Sequence, residues 1–188
     1  MTLKEINEKL EKMLPEKRIK HSLNVANCAV KLCEIYSFDK EKAYIAGLVH
    51  DCAKYLDKDE VNYYIKKYNI ELDEYENNNL ALSHSIIGSY IAKYEFKIND
   101  IEIIDAIRYH TTGRENMSLL EKIIYMADLI EEDRDFPNVD LLRDLSYSKK
   151  LDEALLASFD NTIKFVIDNK QLIHPRTVSA RNYIMRNL

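Results

Sequence analysis

The amino-acid sequence predicts an all-α fold. Apolar residues recur at intervals of three and four over most of the 188 residues, whereas the alternation of a β-strand does not persist over any useful length. The chain has only 3 Gly and 3 Pro, too few for the many tight turns of a sandwich or barrel. Repeats, low-complexity tracts and interdomain linkers are lacking, and the length allows a sizeable core. We therefore predict a single-domain helical bundle spanning 1–188.

Apolar stripes predict the first three helices. Their members, in chain order, are Leu3, Ile6, Leu10 and Leu14, then Ile19, Leu23, Ala26, Val30 and Cys33, and then Tyr44, Ile45, Leu48 and Val49. Pro15 separates the first stripe from the second, because proline suits a first helical turn better than a helix interior. Asp39 precedes the third stripe and is predicted to cap that helix.

Capping signals predict the start of three later helices. The paired residues have the spacing of a capping box, and they are Asp57 with Glu60, Asn99 with Glu102, and Ser118 with Glu121. A polar loop is predicted at 71–79, and the apolar residues of 86–94 predict a helix after it. Gly113 falls where the end of a helix would place a left-handed residue.

Two long helices, at about 151–169 and 177–187, are predicted to close the chain. A loop at 131–138 precedes them and contains Pro137. Residues 139–150 carry no assigned element.

Composition narrows the class of function. Lys and Arg total 27 against 32 Asp and Glu, a net charge of −5, which argues against a protein that tracks nucleic-acid phosphates but allows a local basic pocket. Cys28, Cys33 and Cys52 form no CxxC pair, which favours reduced thiols. No run approaches the roughly 18 apolar residues of a membrane span, and the N-terminus does not resemble a signal peptide. We expect a cytoplasmic protein without membrane or nucleic-acid partners, and a homo-oligomer is left open.

Histidines and aspartates within or at the ends of apolar segments carry the chemical signal. His50 and Asp51 end the apolar run 46–49, and His110 ends another apolar segment. Asp128 lies inside an otherwise apolar helix, where an unpaired carboxylate would be costly. His21 and His84 also lie on helices with an apolar stripe. Imidazoles and carboxylates that point inward from separate helices are how helical bundles build metal sites.

This donor set predicts a hydrolytic metal centre. Neutral imidazoles and carboxylates suit iron, manganese or zinc, whereas magnesium prefers oxygen ligands alone. Two ions about 3.5–4 Å apart can share a hydroxide, orient a phosphate and stabilise developing charge. The alternative is a helical binding or scaffold protein, because a single histidine is more often structural than a ligand.

Five segments resemble one branch of the HD-domain phosphohydrolase superfamily. They are AGLVHDCAK at 46–54, YHTTG at 109–113, IYMAD at 124–128, IHPRT at 173–177 and ARN at 180–182. The branch is the YqeK-type symmetrical diadenosine tetraphosphate hydrolases of bacteria, and the resemblance covers about 14–183.

The resemblance implies two metal ions and their ligands. It assigns metal-binding roles to His21, His50, Asp51, His84, His110 and Asp128, with Asp51 as the bridge between the ions. It implies iron as the metal, while the ligand set also allows manganese, cobalt or zinc. His174 matches a family motif near the C-terminus, but no ligand role follows for it.

The implied reaction is symmetrical cleavage of diadenosine tetraphosphate to two ADP by a metal-bridging hydroxide that attacks phosphorus. The metal chemistry is shared by relatives that act on nucleoside monophosphates, deoxynucleoside triphosphates or guanosine alarmones, so these substrates stay open. A non-catalytic helical nucleotide-binding protein is the remaining alternative.

Several polar residues near the motifs are candidates for the substrate. Lys54 lies one helical turn after His50, and Lys54 and Arg134 are predicted, with Asp51, to act in catalysis. Substrate binding is assigned to Lys54, Thr111, Thr112, Arg134 and Arg181. The competing accounts are a solvated lysine, ordinary chemistry at a helix end for the threonines, and a surface ion pair of Arg134 with Asp133 or Asp135.

The chain departs from the family pattern in two places. Ser85 and Ile86 follow His84 where the family has Gly-Pro. Glu132 and Asp133 stand where it has Pro-Asn, and their negative charge could alter affinity or substrate choice. The tyrosines with helical spacing, such as Tyr44, Tyr64, Tyr90 and Tyr125, are interpreted as core residues rather than as stacking partners for a nucleobase.

Overall fold

The computed structural model describes residues 1–77 and 79–188, and these form ten α-helices and no β-strand. The helices are α1 Leu3–Met13, α2 Glu16–Tyr36, α3 Lys40–Val49, α4 Lys58–Tyr68, α5 Leu80–Tyr94, α6 Ile101–Tyr109, α7 Leu119–Ile130, α8 Val139–Tyr147, α9 Leu151–Asp168 and α10 Pro175–Asn187. The predicted all-α class is confirmed. Asn78 of the predicted loop lies outside the described residues, and the rest of 71–79 is non-helical.

The capping predictions hold at three helices and fail by one residue at a fourth. Asp39 accepts hydrogen bonds from two backbone N–H groups of α3, and capping boxes start α4 and α7 as predicted. The start of α6 is capped by Asp100 instead of Asn99. The Asp100 carboxylate accepts from the amide of Glu102 at 2.9 Å. No capping box forms, because Glu102 is only the second residue of α6 and the third is Ile103.

Two further features differ from the sequence prediction. Helix α8 occupies part of the unassigned stretch, and it starts after Asn138, which has a left-handed φ of 72°. On α2 the fully buried apolar residues include Val25, Ala29 and Leu32, whereas Ile19 and Leu23 are only half-buried. Because α2 packs against α1, α3, α7 and α8, its buried surface is broader than a single stripe.

The structure agrees with the predictions for Tyr125, the three cysteines and Gly113. Tyr125 is buried against Phe159, with ring centroids 4.9 Å apart, as expected of a core tyrosine. The three cysteines are buried and free. Gly113 has a φ of +63°, and its N–H donates to the Tyr109 carbonyl at 2.8 Å to close the end of α6. Among the described helices, none has both the length and the apolar character to cross a membrane.

Helices α2 and α3 approach closely at Gly47, which aligns the end of α3 with the core. A Cβ atom at Gly47 would lie 2.8 Å from Cα and 2.9 Å from N of Ala26, both backbone atoms. Gly47→Ala should therefore lower the free energy of unfolding by about 1–3 kcal/mol, measured by urea denaturation.

Gly88→Ala is the matched control for this substitution. Its new Cβ would meet its neighbours at 3.5 Å or more, which is ordinary contact, and alanine favours the helix interior by about 0.8–1.0 kcal/mol. Equal stability losses in the two variants would contradict the close approach at Gly47.

Candidate metal centre

Six polar side chains from five helices and the turn after α3 meet in the core. They are His21 of α2, His50 at the end of α3, Asp51 after it, His84 of α5, His110 at the end of α6, and Asp128 of α7. All four histidines and Asp51 are buried, while the side chain of Asp128 keeps 19% of its exposure. The structure thus brings together every metal ligand that the resemblance implies.

Asp51 stands at the centre of this cluster, between two pairs of imidazoles. Its Oδ1 atom lies 3.0 Å from Nε2 of His84 and 3.5 Å from Nε2 of His110. Its Oδ2 atom lies 3.4 Å from Nε2 of His50 and 3.9 Å from Nε2 of His21. A carboxylate in this position can offer one oxygen to each of two cations.

Asp128 faces the pair formed by His21 and His50. Its Oδ1 atom lies 3.0 Å from Nε2 of His21 and 3.8 Å from Nε2 of His50. Burial opposes ionisation, but the adjacent His21 imidazole and the charges of His50 and Arg134 hold the pKa of Asp128 well below its usual range. Asp128 is therefore an ionised carboxylate at neutral pH.

The second nitrogen of each imidazole fixes its tautomer. The Nδ1 contacts are His50 with the Gly47 carbonyl at 2.6 Å, His84 with the Leu80 carbonyl at 2.8 Å, His110 with the Ile107 carbonyl at 2.7 Å, and His21 with Glu131 Oε1 at 3.1 Å. Carbonyl and carboxylate oxygens accept hydrogen bonds, so Nδ1 carries the proton. In the neutral imidazoles the lone pairs on Nε2 then point at one another and at the two aspartates.

This arrangement fits divalent metal ions. Nε2 of His21, Nε2 of His50 and Oδ1 of Asp51 are buried without a hydrogen-bond partner, and Nε2 of His84 lies only 3.1 Å from Nε2 of His110. Converging lone pairs repel one another unless a cation lies between them. Within the cluster the ligand atoms form three overlapping groups, which are His21 with His50 and Asp51, Asp51 with His84 and His110, and His50 with His110 and Asp128. Nitrogen and oxygen donors of this kind suit borderline divalent ions.

Glu131 supports the cluster, and sequence reasoning missed it. It is 2% exposed, and its Oε1 atom accepts from Nδ1 of His21 at 3.1 Å. Its Oε2 atom accepts from the Asn24 side chain at 3.1 Å and from the backbone N–H of Asp133 at 2.7 Å. The available signal was an acidic residue directly after the apolar segment of α7 and three residues after Asp128.

Arg18 is a second contributor that was not predicted. Its Nη1 atom donates to Oδ2 of Asp51 at 2.9 Å, and its side chain is 22% exposed. Arg18 precedes His21 by three residues, so both occupy one face of α2. That spacing was the available signal.

Lys54 and Arg134 also reach the cluster. Nζ of Lys54 lies 3.3 Å from Nε2 of His84, which does not fit the alternative of a solvated lysine. Arg134 donates from Nη2 to Oδ1 of Asp128 and from Nε to the Asp128 carbonyl at 2.7 Å. In the described part of the chain Arg134 is thus directed to Asp128, not into the alternative surface pair with Asp133 or Asp135.

The other predicted substrate residues have different partners. The Thr111 hydroxyl lies 3.1 Å from that of Ser85, beside His84. The buried Thr112 hydroxyl donates to the Gly113 carbonyl at 3.0 Å. Arg181 of α10 forms an ion pair with Asp160 of α9 at 2.8 Å. The recorded polar contacts of Thr112 and Arg181 within the described residues do not involve the metal cluster.

His174 has the opposite tautomer from the four cluster histidines. Its Nδ1 atom accepts from the backbone N–H of Arg176 at 3.1 Å and so caps α10. Nε2 therefore carries the proton, and it faces Asp73 at 3.2 Å and Glu76 at 3.4 Å. These three residues lie close enough to hold an ion, but an Nε2 atom that carries a proton cannot be a ligand. The link from α10 to the loop before α5 is the hydrogen bond of Arg176 to Glu76 at 3.0 Å.

The metal-free protein should lose stability on mild acidification through His84. Burial lowers the pKa of His84 from 6.5 to about 4, so the unfolded chain binds a proton in this window that the folded chain does not. Stability therefore falls as the pH falls from 6.5 toward 4. Burial alone would lower the pKa of His50, but the charges of Asp51 and Asp128 outweigh burial and raise it. The stability that protonated His50 contributes is therefore fully present below pH 6.5 and does not change in this window.

Between pH 6.5 and 5, the free energy of unfolding of the metal-free wild type should fall by about 1–2 kcal/mol more than that of His84→Gln. Urea denaturation at both pH values measures the difference. Parallel losses in the two proteins would contradict the burial of a neutral His84.

Comparisons with known proteins agree with this geometry. The sequence model of the HD domain family matches residues 18–133, which include all six cluster residues. The symmetrical bis(5'-nucleosyl)-tetraphosphatase of Staphylococcus aureus is 36% identical over 184 residues, 97% of this chain and 94% of the relative. The enzyme of the same name from Bacillus subtilis is 38% identical over 176 residues, 94% of both chains.

A solved structure has the same fold. The crystal structure of a predicted HD superfamily hydrolase involved in NAD metabolism, from Clostridium acetobutylicum, matches with a TM-score of 0.95 and 47% identity. The match covers 100% of this chain and 99% of the other. Together with the buried histidine and aspartate cluster, these matches show that the chain belongs to the HD-domain family and, within it, to the symmetrical bis(5'-nucleosyl)-tetraphosphatases.

Proposed function

We propose that this chain hydrolyses diadenosine tetraphosphate at the central phosphoanhydride and releases two ADP. The observation that carries the proposal is the convergence of four imidazole Nε2 atoms on Asp51 and Asp128 in a buried cluster. The two relatives that match over almost their whole length are named for symmetrical cleavage of bis(5'-nucleosyl) tetraphosphates. Both lines support a phosphohydrolase.

The same cluster would hold two divalent ions. One would be bound by His21, His50 and Asp128, the other by His84 and His110, with Asp51 shared between them. Ions in such a site activate water as a nucleophile and neutralise charge on the phosphate oxygens. We propose iron as the resident metal, and the nitrogen and oxygen donors also suit manganese, cobalt or zinc.

The basic side chains at the cluster would bind and orient the phosphate chain. Lys54 lies beside His84 and Arg134 beside Asp128, so the two cations are associated with different ligands of the cluster. An arginine can bind phosphate oxygens in a bidentate manner, while a lysine acts as a point charge. We propose that Lys54 and Arg134 contact phosphates on either side of the scissile bond, where they stabilise charge on the transferred and leaving groups. The Thr111 hydroxyl would add a weaker contact.

Product analysis tests the proposed reaction. The purified protein, supplied with Fe²⁺ or Mn²⁺, is incubated with diadenosine tetraphosphate, and the products are separated by ion-exchange chromatography. ADP alone is expected, whereas ATP plus AMP would contradict cleavage at the central bridge. NAD⁺ is the control substrate, because the solved relative is described as involved in NAD metabolism and NAD⁺ contains adenosine but no tetraphosphate.

Other nucleotides distinguish the alternatives. Hydrolysis of a nucleoside monophosphate, a deoxynucleoside triphosphate or a guanosine alarmone, with none of diadenosine tetraphosphate, would keep the metal centre and replace the substrate. Absence of hydrolysis with every nucleotide and metal would favour a binding protein.

A further inference from the structure

A basic cleft of about 420 Å³ opens directly beside His21 of the metal cluster. Its cationic lining residues are Lys17, Arg18, Lys20 and Arg134. Its volume lies in the range of about 300–1,000 Å³ typical of small-molecule sites. The cleft therefore has the size and charge for a nucleotide that reaches the cluster.

The two acidic residues of the cleft already have hydrogen-bond or ion-pair partners. Glu131 accepts hydrogen bonds from His21 and Asn24, so its charge is directed inward. Asp133 pairs with Lys20 at 2.6 Å and accepts from Asn24 at 3.1 Å. Lys20 is thus paired with Asp133 and one N–H of Arg18 with Asp51, so within the described residues Lys17 and the remaining donors of Arg18 are left to attract an anion.

Tyr55 gives this basic cleft an aromatic wall. It is 52% exposed, and the guanidinium carbon of Arg18 lies 5.8 Å from its ring centroid. Other tyrosines stack on one another, as Tyr68 does on Tyr94 at 4.8 Å. An exposed ring beside cations is the combination with which proteins bind unpaired nucleotides, where the base stacks on the ring and the cations hold the phosphates.

Arg18 connects this wall to the reaction centre. One of its five N–H donors is used by Asp51, at 2.9 Å, and the fork of the guanidinium has further donors for a phosphate. A nucleotide bound between Tyr55 and Asp51 could therefore stack its base on Tyr55 and place a phosphate against Arg18.

We propose that this cleft binds one nucleoside diphosphate half of the substrate, with the base stacked on Tyr55 and the phosphate nearest the cluster held by Arg18. The proposal rests on the proposed function for the identity of the ligand. It adds Tyr55 as the base platform and Arg18 as a phosphate anchor. No base-edge contact is needed, so Tyr55 would accept purines of either kind.

Calorimetric titration of the Mn²⁺-loaded protein with ADP and with pyrophosphate tests this assignment. Tyr55→Ala should raise the dissociation constant for ADP about ten-fold and leave that for pyrophosphate unchanged, because only ADP has a base to stack. Tyr55→Phe should bind both ligands as the wild type does. Arg18→Gln should weaken both, since both offer a phosphate.

Tyr63→Ala is the matched control, because Tyr63 is 55% exposed and lies on α4, outside the cleft. It should change neither constant. Three results would overturn the assignment. They are unchanged ADP binding in Tyr55→Ala, equal weakening of ADP and pyrophosphate binding in Tyr55→Ala, and wild-type protein that binds no ADP. If ADP binding depends on Tyr55 while diadenosine tetraphosphate is not hydrolysed, the cleft stands and the proposed function fails.

Discussion

Asp51→Asn should lower the turnover number for diadenosine tetraphosphate by about 1,000-fold or more, because it removes a charge worth several kcal/mol of transition-state stabilisation. The two oxygens of Asp51 face two pairs of imidazoles. Asparagine keeps the shape of the side chain but has one acceptor oxygen and no charge. The asparagine side chain can bind one cation and not two, so metal content should fall together with activity.

Asp59→Asn is the control for this variant, because Asp59 is exposed in the first turn of α4. Metal content is measured by atomic absorption after dialysis, and folding by circular dichroism. Both variants should retain the helical spectrum, and only Asp51→Asn should lose metal. An Asp51→Asn protein with wild-type turnover would exclude the dinuclear mechanism.

Glu131→Gln should weaken metal binding about 10- to 100-fold, although Glu131 is not expected to contact the metal. The carboxylate accepts three hydrogen bonds, from His21, from the Asn24 side chain and from the Asp133 amide. A glutamine has one oxygen and one NH₂ group. In either orientation of the amide, this NH₂ group faces a donor, which disturbs either the tautomer of His21 or the loop that carries Arg134.

Glu132→Gln makes the same chemical change at the neighbouring position, where the side chain is exposed. Activity is measured as a function of Mn²⁺ concentration in both variants. Only Glu131→Gln should need more Mn²⁺ for half-maximal activity. Equal Mn²⁺ requirements in wild type and Glu131→Gln would show that His21 does not depend on this carboxylate.

Residues that differ in polarity from their neighbours in the chain could be predicted from the sequence alone. His50, His110 and Asp128 stand out because they interrupt or end apolar segments, and such residues need a partner in the core. The caps at Asp39, Asp57 and Ser118 were predictable for a similar reason, since each satisfies donors within its own first turn. Local chemistry determines these features.

Other features depend on contacts between distant parts of the chain. Arg18 looks like an exposed residue near a helix start until α2 is placed against Asp51. Glu131 is one of several acids in 131–135, and only the fold shows that it alone faces His21. At the start of α6, Asp100 caps the helix instead of Asn99, and Lys42 of α3 forms ion pairs with both Asp100 and Glu102. Such choices follow from packing, so periodicity and spacing could not reveal them.

The backbone contacts of His50, His84 and His110 have a consequence for how the protein acquires its metal. Each of these imidazoles is oriented by a carbonyl three or four residues earlier in the chain. Their orientation is therefore complete once the helices form, without help from the ion. We therefore expect the native metal-free protein to bind a divalent ion directly, and dialysis against a second ion to replace the first without an unfolding step.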